Sequence, residues 1–218
     1  MDVKEKLVTR RICKRSHYNF YDREEKTKVN NTWSICISGD YDLNFLMYVA
    51  SAHGLLADEF GEGTWPTSQS SNGGQSNEKF KAQWKELWNQ SIYKKGLLKS
   101  GRQKNLILDP PDFSMIREND VRNVLINMWP SFIQWWNMPA GGQIAMHYWE
   151  GAPDLLSFVQ EFESQVGRKI KPFKLDIDLI YTGLREPIEV NEQFMILPIK
   201  TEYLLKKDWW IKRFEEHF

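Results

Sequence analysis

The segment that most constrains the fold is MWPSFIQWWNMPAGGQIAMHYWEG, residues 128–151. It contains four of the ten tryptophans and three of the seven methionines in the chain. Side chains of this kind either fill a core or form an aromatic cage around a cationic ligand. Trp135 and Trp136 continue an apolar stripe that begins at Val121, which is typical of a helix facing a core. We therefore expect the segment to be core rather than cage.

The same segment predicts two elements that pack on each other. A helix over 116–137 contains Pro130, which should kink it or divide it in two. The glycine pair 141–142 then supplies a turn. Residues 143–150 have apolar side chains at both odd and even positions, which indicates a central strand buried on both faces.

Hydrophobic periodicity predicts the remaining elements. The predicted strands are 32–38, a half-exposed strand over 172–183, and a hairpin over 187–200 that turns near residues 191–192. The other predicted helices are a buried one over 42–60, one that begins at 77, one over 152–167 and a last one over 204–218. These elements predict an α+β fold, in which a helix-rich N-terminal half packs on a small, mostly antiparallel C-terminal sheet of about four strands with flanking helices.

The domain organisation follows from composition along the chain. Residues 1–32 mix charges of both signs with few apolar residues, and we interpret them as an N-terminal arm. Residues 33–218 have enough apolar content for a single α+β domain. Within it, 61–77 is rich in glycine, serine and asparagine and is expected to be a flexible loop.

Charge and targeting signals exclude several classes of protein. The chain has 29 basic and 29 acidic residues, so nothing attracts it generally to nucleic acid or to an anionic membrane. No segment is apolar and long enough to be expected to span a bilayer, and the N-terminus is charged throughout. Cys13 and Cys36 have no metal-ligand spacing. We expect a cytoplasmic protein with no membrane partner.

No cofactor is predicted. The turn after the first strand reads SGDYD, and its two acids would cap the following helix while repelling phosphate. His53 and His147 are expected to be hydrogen-bonded core residues, because neither has a second metal ligand at helical spacing.

Asp176 and Asp178 give the sharpest signal for catalysis. Alternation places both carboxylates, with Lys174, on one face of the predicted strand, about 7 Å apart. They could hold Mg²⁺ in a metal-dependent enzyme acting on nucleotides or nucleic acid. Alternatively, the three side chains form the solvent-exposed face of an antiparallel strand.

A basic run follows the helix that begins at 77. It could bind phosphates of a nucleic acid, with Trp88 and Tyr93 near enough to stack on bases. The alternative is a solvated charged surface. The basic residues of the run are Lys94, Lys95, Lys99, Arg102 and Lys104.

These patterns favour a non-enzymatic protein that binds and covers a protein partner, of the type represented by immunity proteins and other intracellular inhibitors. The ten tryptophans exceed what a core of this size needs, so Trp65, Trp209 and Trp210 are predicted to be exposed interface residues. The metal-dependent enzyme using Asp176 and Asp178 is the alternative hypothesis.

Overall fold

The computed structural model describes residues 33–56, Trp65, 78–99 and 108–217. The predicted arm over 1–32 and all of the predicted loop over 61–77 except Trp65 lie outside these residues. The described elements, in chain order, are β1 (Trp33–Ser38), α1 (Tyr41–Ala52), α2 (Glu78–Lys99), α3 (Asn119–Trp136), α4 (Gly142–Glu150), α5 (Leu155–Val166), β2 (Phe173–Ile180), β3 (Ile188–Asn191), β4 (Phe194–Pro198), α6 (Thr201–Leu204) and α7 (Lys207–His217).

The described strands form one four-stranded sheet in the order β1-β2-β4-β3. Of these four, β1, β2 and β4 are parallel to one another, and β3 runs antiparallel, next to β4. The fold therefore mixes helices and sheet as predicted, but the expectation of a mostly antiparallel sheet is wrong. The expected division into a helix-rich N-terminal half and a C-terminal sheet is also wrong, because β1 comes first in the described chain and α6 and α7 follow β4. β1, the first described strand, pairs with β2. Because parallel strands must be joined by a long crossover, the chain between them contains α1 to α5.

Helices cover both faces of this sheet. Lys95 of α2 contacts Asp178 on one face of β2, whereas Phe214 of α7 contacts Phe173 on the other. Parallel strands are usually buried on both sides in this way. All residues of β2 from Leu175 onward are buried, so the half-exposed strand predicted over 172–183 is wrong in its exposure.

The tryptophans of the aromatic segment pack in or against the core, as predicted, although Met138, Ile144 and Tyr148 of the same segment are exposed. Trp135 and Trp136 are each 4% exposed. However, residues 143–150 form the helix α4 rather than a central strand. Helix geometry buries Met146 but leaves Ile144 and Tyr148 exposed, so the apolar residues do not fill two faces of a strand.

Two glycines let α4 pack closely. A Cβ atom on Gly142 would lie 2.6 Å from ring atoms of Trp135 and Trp136, and a Cβ on Gly39 would lie 2.3 Å from the sulfur of Met146. The start of α4 therefore rests on the end of α3, and its middle rests on the turn after β1. These helix–helix contacts add to a core that also contains residues of β1, β2 and β4.

Several local predictions are confirmed. β1 and the β3–β4 hairpin lie where alternation placed them, and α5 ends at Gly167, whose φ of 66° is the left-handed conformation of a helix C-cap. α3 is one helix that contains the exposed Pro130, so the predicted division there does not occur. None of the described helices is long and apolar enough to cross a membrane.

Candidate functional site

The candidate site lies at the carboxyl ends of β1 and β2. These strands are parallel, so Ser38, the last residue of β1, lies beside Asp178 of β2. Open sheets with parallel strands commonly bind ligands just beyond these ends. A group of polar side chains meets here, and we name it the β1–β2 cluster: Ser38, Asp40, Asp42, Lys95 and Asp178.

Three buried side chains form the floor of the cluster. The Lys95 ammonium lies 2.6 Å from a carboxylate oxygen of Asp178, and only 3% of Lys95 is exposed. The Ser38 hydroxyl donates a hydrogen bond to the other oxygen of Asp178 at 3.0 Å. Charges this deeply buried persist only when they are paired and hydrogen-bonded. Lys95 and Asp178 therefore depend on each other.

Asp40 and Asp42 form the mouth of the cluster. Asp40 lies 3.3 Å from the Lys95 ammonium, and 30% of its side chain is exposed. Burial raises the pKa of the Asp42 carboxyl to about 6; Lys95 opposes this shift, and Asp40 and Asp178 add to it. One oxygen of Asp42 is buried with no hydrogen-bond partner among the described residues. Asp42 is thus a carboxyl group whose pKa is raised by burial more than Lys95 lowers it.

The ammonium of Lys95 stays charged despite its burial. Burial alone lowers the pKa of Lys95, but the surrounding carboxylates, Asp178 foremost, raise it above its usual value. Lys95 is therefore the fixed positive charge of the cluster.

Glu150 extends the acidic surface onto α4. Its carboxylate accepts a hydrogen bond from the backbone N–H of Gly39 at 2.9 Å. Burial raises the pKa of Glu150, the Gly39 hydrogen bond and His147 lower it, and the charge of Asp40 raises it again. His147 lies 3.6 Å away and is well exposed. Glu150 is thus a further carboxyl group beside Asp40, at the edge of the cluster.

A buried asparagine fixes the first turn of α1 against β2. Asn44 is 1% exposed, and its amide nitrogen donates to the carbonyl oxygens of Asp40 at 2.8 Å and of Leu179 at 2.9 Å. Its amide oxygen accepts from the backbone N–H of Tyr181 at 2.8 Å. Asn44 therefore sets the position of the mouth relative to the end of β2. The sequence analysis did not single it out.

The structure places Asp176 and Asp178 in different surroundings from those predicted. Both are on one face of β2, but they are 5% and 1% exposed, so the solvent-exposed alternative is wrong. α2 covers this face, and Lys174 forms an ion pair with Asp176 at 2.8 Å. The ammonium of Lys95 supplies the positive charge that the metal hypothesis gave to Mg²⁺. Among the described residues, no group of three or more His, Cys, Asp or Glu could hold a metal ion.

The basic run does not form one surface. Lys95 points into the β1–β2 cluster, so its prediction as a phosphate-binding residue is wrong. Trp88 is 2% exposed and packs against Trp84, which removes it as a stacking surface. Lys94 is half-buried. The remaining basic residues of the run lie outside the described side chains: Lys99, Arg102 and Lys104.

Two of the three tryptophans predicted to be exposed are buried. Trp65 is 2% exposed and packs on Trp135, and Trp210 is 0% exposed. Trp209 is partly buried against Tyr203. The prediction that ten tryptophans exceed the needs of the core underestimated the size of the core. Helices pack on both faces of the sheet, so the protein has more buried volume than a single helical layer would give it.

Two residues of the cluster, Asp178 and Lys95, were predicted from the sequence as candidate site residues. Asp40 and Asp42 were predicted to cap the following helix. The sequence signal that could have marked them as site residues is their Asp-Tyr-Asp spacing directly after a strand. Comparison with known proteins finds no matching family model, no similar curated protein and no similar solved structure.

Proposed function

We propose that the protein binds a small organic cation, an amine or guanidinium compound, at the mouth of the β1–β2 cluster. One observation carries the proposal: among the described side chains, Asp40, Asp42 and Asp178 all lie around the ammonium of Lys95. The described part of the cluster therefore carries an excess of negative charge at neutral pH. A second positive charge at the mouth would balance it.

The surroundings strengthen the attraction for a cation. Two charges a few ångströms apart interact several times more strongly at a partly buried site than in bulk water. Tyr41, between the two acids, packs edge-on against Trp129 at 5.6 Å, and both rings are only partly buried. Aromatic faces add to cation binding when they are within about 6 Å of the charge.

Asp42 makes the proposal sensitive to pH. A cation beside Asp42 favours its ionised form, so binding should release the proton that this carboxyl holds below about pH 6. Affinity is therefore expected to rise as the pH increases through about 6.

Isothermal titration with agmatine, which has both an amine and a guanidinium group, tests the proposal. Binding should be several-fold weaker at about pH 5 than at about pH 7.5. Asp42→Asn should weaken binding and remove most of this dependence. Asp120→Asn is the control, because Asp120 is an exposed carboxylate outside the cluster. The proposal fails if agmatine does not bind, or if Asp42→Asn binds it as tightly as the wild type.

The metal-dependent enzyme remains a separate hypothesis with its own readout. A site that binds Mg²⁺ would raise the unfolding temperature on titration with the ion. If Asp176→Asn/Asp178→Asn abolished such a rise, a metal site would replace the organic cation. No rise in the wild type would argue against a metal at these carboxylates.

A second candidate function is the covering of a protein partner by the outer face of α4, as an inhibitor of the immunity-protein type would do. Ile144 and Tyr148 are 53% and 71% exposed and lie one helical turn apart. Exposed tyrosine next to aliphatic surface is typical of interface hot spots. Ile144→Ser/Tyr148→Ser should abolish capture of one stoichiometric partner from the native host. Met115→Ser, at another exposed apolar residue, should not; unchanged capture by the double variant would exclude this face.

A further inference from the structure

A groove of about 610 Å³ lies at the opposite end of α1 from the β1–β2 cluster. One wall is the end of α1 with the turn that follows it, and the other wall is α3. Pockets for small ligands usually measure about 300–1,000 Å³ and combine an apolar floor with a few polar groups. The groove has both features.

The polar groups of the groove come from both walls. Asn127, Ser131 and Gln134 are exposed and follow one side of α3, about one turn apart. His53 lies in the opposite wall, and burial lowers its pKa, which keeps the ring neutral at pH 7. A neutral imidazole offers one donor and one acceptor, and each amide offers both as well. These groups can therefore hydrogen-bond a ligand that has donors and acceptors along its edge.

The floor of the groove is apolar and rigid. Trp135 lies beneath this floor, is only 4% exposed, and packs edge-on against Trp65 at 5.3 Å and Tyr181 at 5.1 Å. Met128, which is half-buried, and Met138, which is 48% exposed, supply apolar surface that a ligand can contact. Thioether sulfurs make favourable contacts with aromatic rings. A floor of this composition suits a flat aromatic ligand.

Among the described residues, no charged side chain lines the groove. A phosphate or carboxylate would find no lysine or arginine there, and a cation would find no acid. From this geometry we infer that the groove binds an uncharged planar heterocycle with hydrogen-bonding groups on its edge, a nucleobase or its nucleoside. Amide side chains recognise base edges through paired donors and acceptors, which Asn127 and Gln134 can supply.

Saturation-transfer NMR and isothermal titration with adenosine and uridine test the inference. At least one of the two nucleosides should bind with a Kd below about 1 mM. Asn127→Ala/Gln134→Ala should weaken binding about tenfold or more, the loss of about 1.4 kcal/mol. Both side chains are exposed, so the unfolding temperature of this variant should stay near that of the wild type.

Gln143→Ala is the matched control, because Gln143 is an exposed glutamine on α4 that does not line the groove. It should leave nucleoside binding unchanged. The inference is overturned if neither nucleoside binds, or if the double variant binds as tightly as the wild type. It is also overturned if adenosine monophosphate binds more tightly than adenosine, since that would require a positive charge that is absent from the described lining of the groove.

Discussion

Replacing Asp178 with asparagine would leave the Lys95 ammonium buried with Asp40 as its nearest remaining carboxylate. The lost contact is 2.6 Å long, and the remaining one is 3.3 Å long. Unit charges separated by 2.6 Å attract each other by about 6 kcal/mol at an effective dielectric constant of about 20. Because Asp40 retains part of this attraction, we expect the free energy of unfolding to fall by about 3–5 kcal/mol, the usual cost of breaking a buried pair.

Urea denaturation measures this loss directly, as a lower midpoint at an unchanged slope. The control is Asp120→Asn, which breaks the Lys79–Asp120 pair. That pair has a similar separation of 3.0 Å, but its side chains are 64% and 65% exposed. Exposed pairs contribute about 0–1 kcal/mol, so the two asparagine variants should differ several-fold in their effects.

Removing both charges distinguishes burial from attraction. Lys95→Met/Asp178→Leu removes both charges of the floor. It also removes the cation beside Asp40 and Asp42, so it should be less destabilised than Asp178→Asn but not fully stable. If Asp178→Asn lost less than about 1 kcal/mol, like the exposed pair, Lys95 would have to reach solvent. The burial argument for the β1–β2 cluster would then be wrong.

Three further predictions concern stability. The pKa of Asp42 is raised to about 6, so between about pH 4 and pH 6 the folded protein keeps a proton that the unfolded chain has released. As the pH rises from about 4 to 7, the free energy of unfolding of the wild type should therefore fall by about 2–3 kcal/mol relative to that of Asp42→Asn. Urea denaturation at each pH measures this difference. Gly142→Ala should lower the free energy of unfolding by about 1–3 kcal/mol, because its Cβ would meet two tryptophan rings. Gly151→Ala should be nearly neutral, because the nearest neighbour of its Cβ would be 4.0 Å away. Equal effects of the two substitutions would refute the close packing of α4. Asn44→Leu should lower the midpoint of thermal unfolding by several degrees, because it leaves the N–H of Tyr181 and the carbonyl of Leu179 without the hydrogen bonds that Asn44 makes to them. An unchanged midpoint would mean that water replaces the amide.

The two halves of the chain illustrate why the sheet was mispredicted. Alternation in TWSICIS and in PIEVNEQFMILPIK located three strands, because local period and turn residues suffice for that. Neither pattern contains the direction in which β1 pairs with β2. That pairing depends on the crossover between them, which brings together strands from opposite ends of the described chain.

The exposure of the KLDIDLI segment was predicted wrongly. Its alternating polar residues predicted a strand with one face in water, because aspartate is rarely buried. In the structure, α2 covers that face and Lys95 lies against Asp178. A buried carboxylate of this kind is stable only beside a cation. That cation, Lys95, is far from Asp178 in the sequence, so local pattern does not predict the pair.

The sequence by itself determined which segments are helix or strand in most of the described chain, and that the tryptophan-rich middle is core. Local periodicity and side-chain size decide both. Tertiary structure alone decided that the sheet is largely parallel, that 143–150 is helical, and that Ser38, Asp40 and Asp42 meet Lys95 and Asp178. These outcomes depend on contacts between residues far apart in the chain, where burial and the need to pair buried charges outweigh local preference.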